Sequence, residues 1–316
     1  MKITRIELHL IRVPFDMGTA PTAFAGMNLT SVDSLFVRVC TDADVDGWGE
    51  GWGHVACQTT SAALTTLVGP AFIGGDVSDR SRLMTEMSHR FHIHGRMGPV
   101  VYALSAIEIA LWDIAGKLAS LPIASLLGGA PRELTAYASL LRYAEPELVA
   151  SAVERALSQG FRHIKLHEVR LDTVAAARAA CGESVWLALD TNCPWTVSQS
   201  IEYARALEAS RLAWLEEPVW PPEDHAGLAR VRAATTFPIV ARENAAGVYD
   251  LVAMPRAGSF AGAAFELFFG DLMPARTTTP SALARFLQKL RFIPDPYCGL
   301  CSGRSNAAKM FVQAGE

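Results

Sequence analysis

The chain has 316 residues, half of them apolar and 19% charged, with 28 Lys and Arg against 32 Asp and Glu for a net charge of −4. This composition supports a buried core and excludes a disordered chain. With no basic excess to neutralise phosphates, nucleic acid is not an expected partner. Six Cys in this length make no disulfide framework.

The N-terminal MKITRIELHLIRVPF alternates charged and apolar residues and has no continuous apolar core, so it does not read as a signal peptide. Ile3–Val13 and Leu35–Cys40 have strand character. Between them TAPTAFAGMNLTS (19–31) reads as a loop, and DGWGEGWGH (46–54) reads as a second, glycine-rich loop. From Gly98 to Leu127 the pattern is helical, with Ala103, Ile107, Ala110, Leu111, Ile114 and Leu118 at spacings of three and four. Pro122 breaks that helix, and Gly128-Gly129 ends a short second one. Glu108, Asp113 and Lys117 interrupt this richest apolar stretch, so no membrane span is expected. The chain reads as a soluble, cytoplasmic protein with reduced thiols. Cys298 and Cys301 read as two unrelated thiols, because a structural zinc site needs four ligands.

From residue 131 the texture changes, giving an α+β domain over 1–130 and a second domain over 131–316. Short β-rich runs (134–139, 163–167, 185–190, 211–216, 238–243) alternate with amphipathic helical stretches. Their ends, Ser139, Lys165, Asp190, Glu216 and Glu243, recur every 25 to 27 residues. So regular a period is a repeated βαβ unit, hence a parallel sheet, and five units in series favour a (β/α) barrel. A doubly wound open sheet is disfavoured because no glycine-rich phosphate fingerprint follows any strand.

Lys165, His167, Asp190, Glu216 and Glu243 all fall at strand C-terminal ends, where barrel active sites are built. Three carboxylates there would repel unless a hard divalent cation joined them, and all-oxygen ligands suit Mg²⁺. Lys165 and His167 share one strand face, because residues i and i+2 align. Glu217 points away from Glu216 by the same alternation. Asn192 lies in the turn DTNCPW and reads either as a support for the ligands or as a turn former.

With these residues in view, the chain resembles the mandelate racemase and muconate-lactonising branch of the enolase superfamily. SAIEIALWDIAGKLASLPIASLLGG carries the likeness, as do IKLH in the place of a KxK motif and the strand ends LALDTN, WLEEPVW and PIVAREN. The resemblance runs from residue 1 to about 256. It implies an α/β chain: an α+β cap over a modified TIM-like (β/α)7β barrel, with the loops at 19–31 and 46–54 closing over substrate. It also implies Mg²⁺ on Asp190, Glu216 and Glu243. Lys165 would neutralise a substrate carboxylate, and His167 would stand where the second Lys acts as base. Asn192, Asn244, Asp271 and Asp295 would support the ligands or the substrate. A homo-oligomer is implied as well.

After Arg256 the pattern departs from the family. AGSFAGAAFELFFGDL would be a sixth strand ending at Asp271, PSALARFLQKL a helix capped by Thr279, and RFIPDPYCG a seventh strand carrying Asp295 where the family has His. The span 131–316 holds roughly seven units of about 26 residues rather than eight, so the barrel is expected to be incomplete at its C-terminal end. Arg242 stands where the family has Gly.

The expected activity is Mg²⁺-dependent abstraction of the proton alpha to a carboxylate through an ene-diolate, with dehydration of an acid sugar foremost. A racemase or epimerase, a cycloisomerase, and a catalytically inactive member are the alternatives. The expected partner is a small carboxylate substrate, not a membrane.

Overall fold

The computed structural model describes residues 1–14, 23–24, 27–28, 30–53, 56–129, 135–241, 243–245, 250, 253–254, 264–266, 290–295 and 309–314. The strands are β1 Ile3–Pro14, β2 Ala23–Phe24, β3 Met27–Asn28, β4 Ser31–Thr41, β5 Gly47–Gly51, β6 Ala138–Ser139, β7 His163–Leu166, β8 Trp186–Asp190, β9 Leu215–Glu216, β10 Ile239–Val240, β11 Ala264–Glu266, β12 Leu290–Asp295 and β13 Lys309–Ala314. The helices are α1 Cys57–Ala63, α2 Gly69–Phe72, α3 Arg80–Arg90, α4 Pro99–Ala119, α5 Ile123–Leu126, α6 Pro146–Ser158, α7 Leu171–Cys181, α8 Val197–Ala206 and α9 His225–Ala233. The chain divides into two compact units, one built mainly from residues 1–15 and 30–133, the other mainly from 134–267.

In the first unit β1, β4 and β5 form an antiparallel sheet in that order. Leu35, Val37 and Val39 alternate onto its buried face, packed with Ala103, Ala106, Ile107 and Ala110 of α4. The expected glycine-rich loop at 46–54 is corrected here, because residues 47–51 form β5. Its glycines alternate, so every second position is bare where α4 crosses. A Cβ on Gly47 would lie 2.0 Å from the Ala110 carbonyl oxygen, and one on Gly49 would lie 2.0 Å from that of Ala106. Glycine is used here for close backbone approach rather than for a turn.

Among the described residues α4 is the helix long and apolar enough to cross a membrane by composition. Its residues Ala103 to Ile114 are mostly buried within this unit. Pro122 separates α4, which ends at Ala119, from α5, which starts at Ile123, in keeping with its expected role as a helix breaker. The loop expected at 19–31 lies largely outside the described residues, and within it β2 and β3 pair antiparallel.

In the second unit β6 to β10 form a parallel sheet whose spatial order follows the chain. Successive βαβ units place each strand beside the last, with α6, α7, α8 and α9 as the crossovers. Ile164, Leu166, Leu187, Leu189, Leu215 and Ile239 pack with helix residues such as Val149, Val153, Val174 and Leu228. A separate cluster of Tyr137, Ala188, Trp214 and Val240 lies on the other face. Lys165, Asp190 and Glu216 fall on that second face by the two-residue period.

Further parallel strands after Arg256 are not found among the described residues. The strand expected around 290–295 forms as β12, but it pairs antiparallel with β13, which also pairs antiparallel with β11. Between β12 and β13 the sequence PYCGLCSGRSNAA is rich in turn formers and lacks the helical period a parallel crossover requires. Asp271, residues 280–289 of the expected helix, Arg242, Cys298 and Cys301 lie outside the described residues, and Leu290, expected to end that helix, instead opens β12. Asp295 ends β12, in register with Lys309.

Candidate active site

The strand ends β7, β8 and β9 bring Lys165, Asp190 and Glu216 together, all nearly fully buried. Parallel pairing sets the register, with Asp190 directly opposite Glu216. The Lys165 Nζ lies 3.1 Å from Asp190 Oδ2 and 3.6 Å from Glu216 Oε2. It also faces the Tyr137 ring, 5.9 Å from the centroid. Burial pushes Asp190 up, but Lys165 and His167 outweigh burial, and the carboxyl is held below its ordinary value. Burial pushes Glu216 up to about 8; Lys165 opposes this, and Asp190, Glu217 and Glu243 add to it. The indole Nε1 of Trp214 donates to Glu216 Oε2 at 3.1 Å.

His167 is a quarter exposed at the edge of this cluster, its Nε2 3.4 Å from Asp190 Oδ2. Its Nδ1 lies 2.6 Å from the Leu140 carbonyl oxygen. A carbonyl only accepts, so Nδ1 carries a proton, and Nε2, which faces the Asp190 carboxylate, is the nitrogen left to gain and lose one.

Glu243 follows β10 and is joined to Asp190 through Asn192. The Asn192 Nδ2 donates to Asp190 Oδ1 at 3.1 Å and to Glu243 Oε2 at 3.5 Å. Asn192 is therefore both a turn residue, at φ +55°, and a support for the carboxylates. Cys193 (φ +56°) and Glu217 (φ +45°) also occupy the left-handed region, which disfavours residues other than Gly and Asn. Strained backbone of this kind clusters at functional sites. Three bonds hold these turns: Cys193 N to the Glu217 carbonyl at 2.7 Å, Glu217 N to that of Val240 at 2.8 Å, and Asn244 Nδ2 to Glu217 Oε2 at 2.7 Å. Asn244 thus supports Glu217 rather than Asp190 or Glu216, and Glu217 ties neighbouring loops together.

As placed, no three His, Cys, Asp or Glu side chains among the described residues lie close enough to hold an ion. Instead the Lys165 ammonium stands between Asp190 and Glu216. The donor set still fits a hard cation: its donors are all carboxylate oxygens, two of them on buried side chains. Burial of Glu216 is uncompensated enough to raise its pKa, which a bound cation would reverse.

Sequence reasoning missed Trp214, although it lies two residues before Glu216 on the same strand face. It also missed Arg142, which lies beyond β6 with no periodic signal of its own.

A parallel βαβ array with acidic, cationic and imidazole groups at its strand ends defines an α/β enzyme. Residues 6–128 match the mandelate racemase / muconate lactonizing enzyme N-terminal domain, and residues 147–267 match the enolase C-terminal domain-like family. The chain is 32% identical to the 3,6-anhydro-alpha-L-galactonate cycloisomerase of Streptomyces coelicolor, over 81% of this chain and 73% of that protein. It is 32% identical to the D-galactarolactone cycloisomerase of Agrobacterium fabrum, over 79% and 67%. A racemase from Streptomyces coelicolor A3(2), solved with bound magnesium, superposes with a TM-score of 0.74 at 30% identity, covering 82% of this chain and 74% of that one. Other relatives include dehydratases of D-galactonate and D-xylonate. The chain belongs to the mandelate racemase/muconate lactonizing enzyme family of the enolase superfamily. Its fold class is accordingly α/β, with an α+β N-terminal part and a TIM-like barrel part.

Proposed function

We propose that the protein removes the proton alpha to the carboxylate of an acid sugar and expels the neighbouring hydroxyl as water, with His167 as base. The observation that carries this is the Nδ1 contact to Leu140, which fixes the ring with Nε2 facing the carboxylate cluster, where it can take and return a proton. Asp190, Glu216 and Glu243 would hold Mg²⁺, which supplies Lewis-acid stabilisation of charge on the substrate carboxylate. Lys165 supplies a second fixed cation in a dry site, where it acts more strongly than in water. His167 Nε2 takes the C2 proton, leaving the ene-diolate of the substrate. The C3–O bond then breaks as His167 returns that proton to the departing oxygen. Water is lost, and the enol that remains gives up its hydroxyl proton and takes one at C3 from solvent, leaving a 2-keto-3-deoxy acid. One imidazole can serve both steps when proton and hydroxyl leave from one face.

A second reading is cycloisomerisation of a sugar acid, favoured by likeness to the two cycloisomerases named above. The test incubates D-galactonate, D-xylonate and 3,6-anhydro-L-galactonate with the protein and Mg²⁺ in D₂O. Dehydration appears as loss of water by mass spectrometry, whereas cycloisomerisation conserves mass. His167→Ala should lose alpha-hydrogen exchange while retaining Mg²⁺ binding. Exchange at the parent rate in that variant would remove His167 as the base.

A further inference from the structure

Arg142 follows β6 and reaches two neighbouring strand ends. Its Nε donates to the His167 carbonyl oxygen at 2.6 Å. Its Nη2 donates to the Thr191 carbonyl at 3.1 Å and to Asn192 Oδ1 at 3.3 Å. The same short segment supplies Leu140, whose carbonyl accepts from the His167 ring. His167 is thus held at its backbone and at its ring by residues 140–142.

The contact to Asn192 has a chemical consequence. A guanidinium only donates, so it selects the carbonyl oxygen of the Asn192 amide. The NH₂ group must then face the other way, toward Asp190 Oδ1 and Glu243 Oε2, where it donates to both. A reversed amide would set its oxygen against two carboxylates and its NH₂ against a cation. Each arm of this arrangement needs a donor at a fixed angle, which a planar fork provides and a point charge does not.

We propose that Arg142 is a positioning residue that holds the imidazole of His167 and the carboxylate-orienting amide of Asn192 in one register. Its significance for catalysis rests on the reading of His167 as base and of the carboxylates as a Mg²⁺ site.

The experiment compares the parent with Arg142→Lys, which keeps the charge and loses the fork. Arg142→Ala serves as a second variant, and thermal melting verifies that each is folded. Mg²⁺ alone is titrated by calorimetry, and the His167 ring nitrogens are followed by ¹⁵N NMR. Loss of a group that orients metal ligands commonly costs about 10–100-fold in metal affinity. That range is expected for Arg142→Lys as for Arg142→Ala, together with a second set of His167 ring signals. Guanidinium added to Arg142→Ala should restore the affinity, and methylammonium should not. Because Arg142 acts through Asn192, Arg142→Ala should cost little more Mg²⁺ affinity in an Asn192→Ala background. Parental Mg²⁺ affinity or a parental His167 ring signal in Arg142→Lys overturns the shared clamp. If the parent binds no Mg²⁺, the metal reading fails and the ring signals alone decide on Arg142. If His167→Ala still exchanges the alpha hydrogen, the base assignment fails while the Mg²⁺ titration continues to judge Arg142.

Discussion

Replacing Lys165 by Met keeps the volume of the side-chain stem and removes the cation between Asp190 and Glu216. At 3.1 Å the attraction between Lys165 and the ionised Asp190 is worth about 5 kcal/mol at an effective dielectric of about 20, and Glu216, pushed up to about 8 and mostly protonated at pH 7, adds less. Burying the three groups offsets most of that gain, so the net worth of the cluster is small. Removing Lys165 is different, because the ionised Asp190 then remains buried without that counter-charge. Breaking a buried pair in this way costs about 3–5 kcal/mol. Glu216, pushed up to about 8, already holds a proton at pH 7 and adds little to the cost, which favours the lower end of that range. A loss of about 3 kcal/mol corresponds to a melting point lower by roughly 6–12 °C. The assay is calorimetric melting in EDTA, repeated with Mg²⁺ at one concentration for both proteins, about 100 times the parent's dissociation constant. Binding at that excess stabilises the folded chain by about 2.7 kcal/mol. If the metal replaces the missing cation, Lys165→Met should gain more from Mg²⁺ than the parent does. A variant that melts within 2 °C of the parent in EDTA would refute the counter-ion role.

Two further outcomes follow from the first unit. Gly49→Ala places a methyl group 2.0 Å from the Ala106 carbonyl oxygen, so β5 and α4 must separate. A destabilisation of about 1–3 kcal/mol or more is expected in urea melts, and an unchanged midpoint would count against the close-approach account of β5. Burial pushes the Cys57 thiol up to about 11, leaving roughly one thiolate in 1,000 at pH 8. Iodoacetamide labelling mapped by peptide mass spectrometry should leave Cys57 unmodified at pH 8 in the folded protein, with reactivity rising about tenfold per pH unit toward 11. Rapid labelling at pH 8 would contradict that burial.

Much of the second unit was legible from spacing alone. Each strand and its helix consume a nearly constant length, so Lys165, Asp190 and Glu216 recur at strand ends and the parallel pairing sets them side by side. The α4 helix was legible for a similar reason, since its apolar period is local. Residues 46–54 misled because glycine carries no hydrophobic period. Gly47, Gly49 and Gly51 signal a loop until the helix that needs their bare face is in place. The strand over 290–295 was visible in its residues, but its antiparallel partner β13 was not, because pairing direction depends on the returning chain.

The sequence by itself determined which chemical groups stand at the strand ends, because that follows from periods repeated along the chain. Only the tertiary structure decided how those groups are held. Arg142, the Leu140 carbonyl and the left-handed turns at Asn192, Cys193 and Glu217 act across strands 20 or more residues apart. Their roles depend on distances and donor directions that arise once several strands are packed together. The tautomer of His167 and the orientation of the Asn192 amide are set there, by which neighbour can only accept and which can only donate.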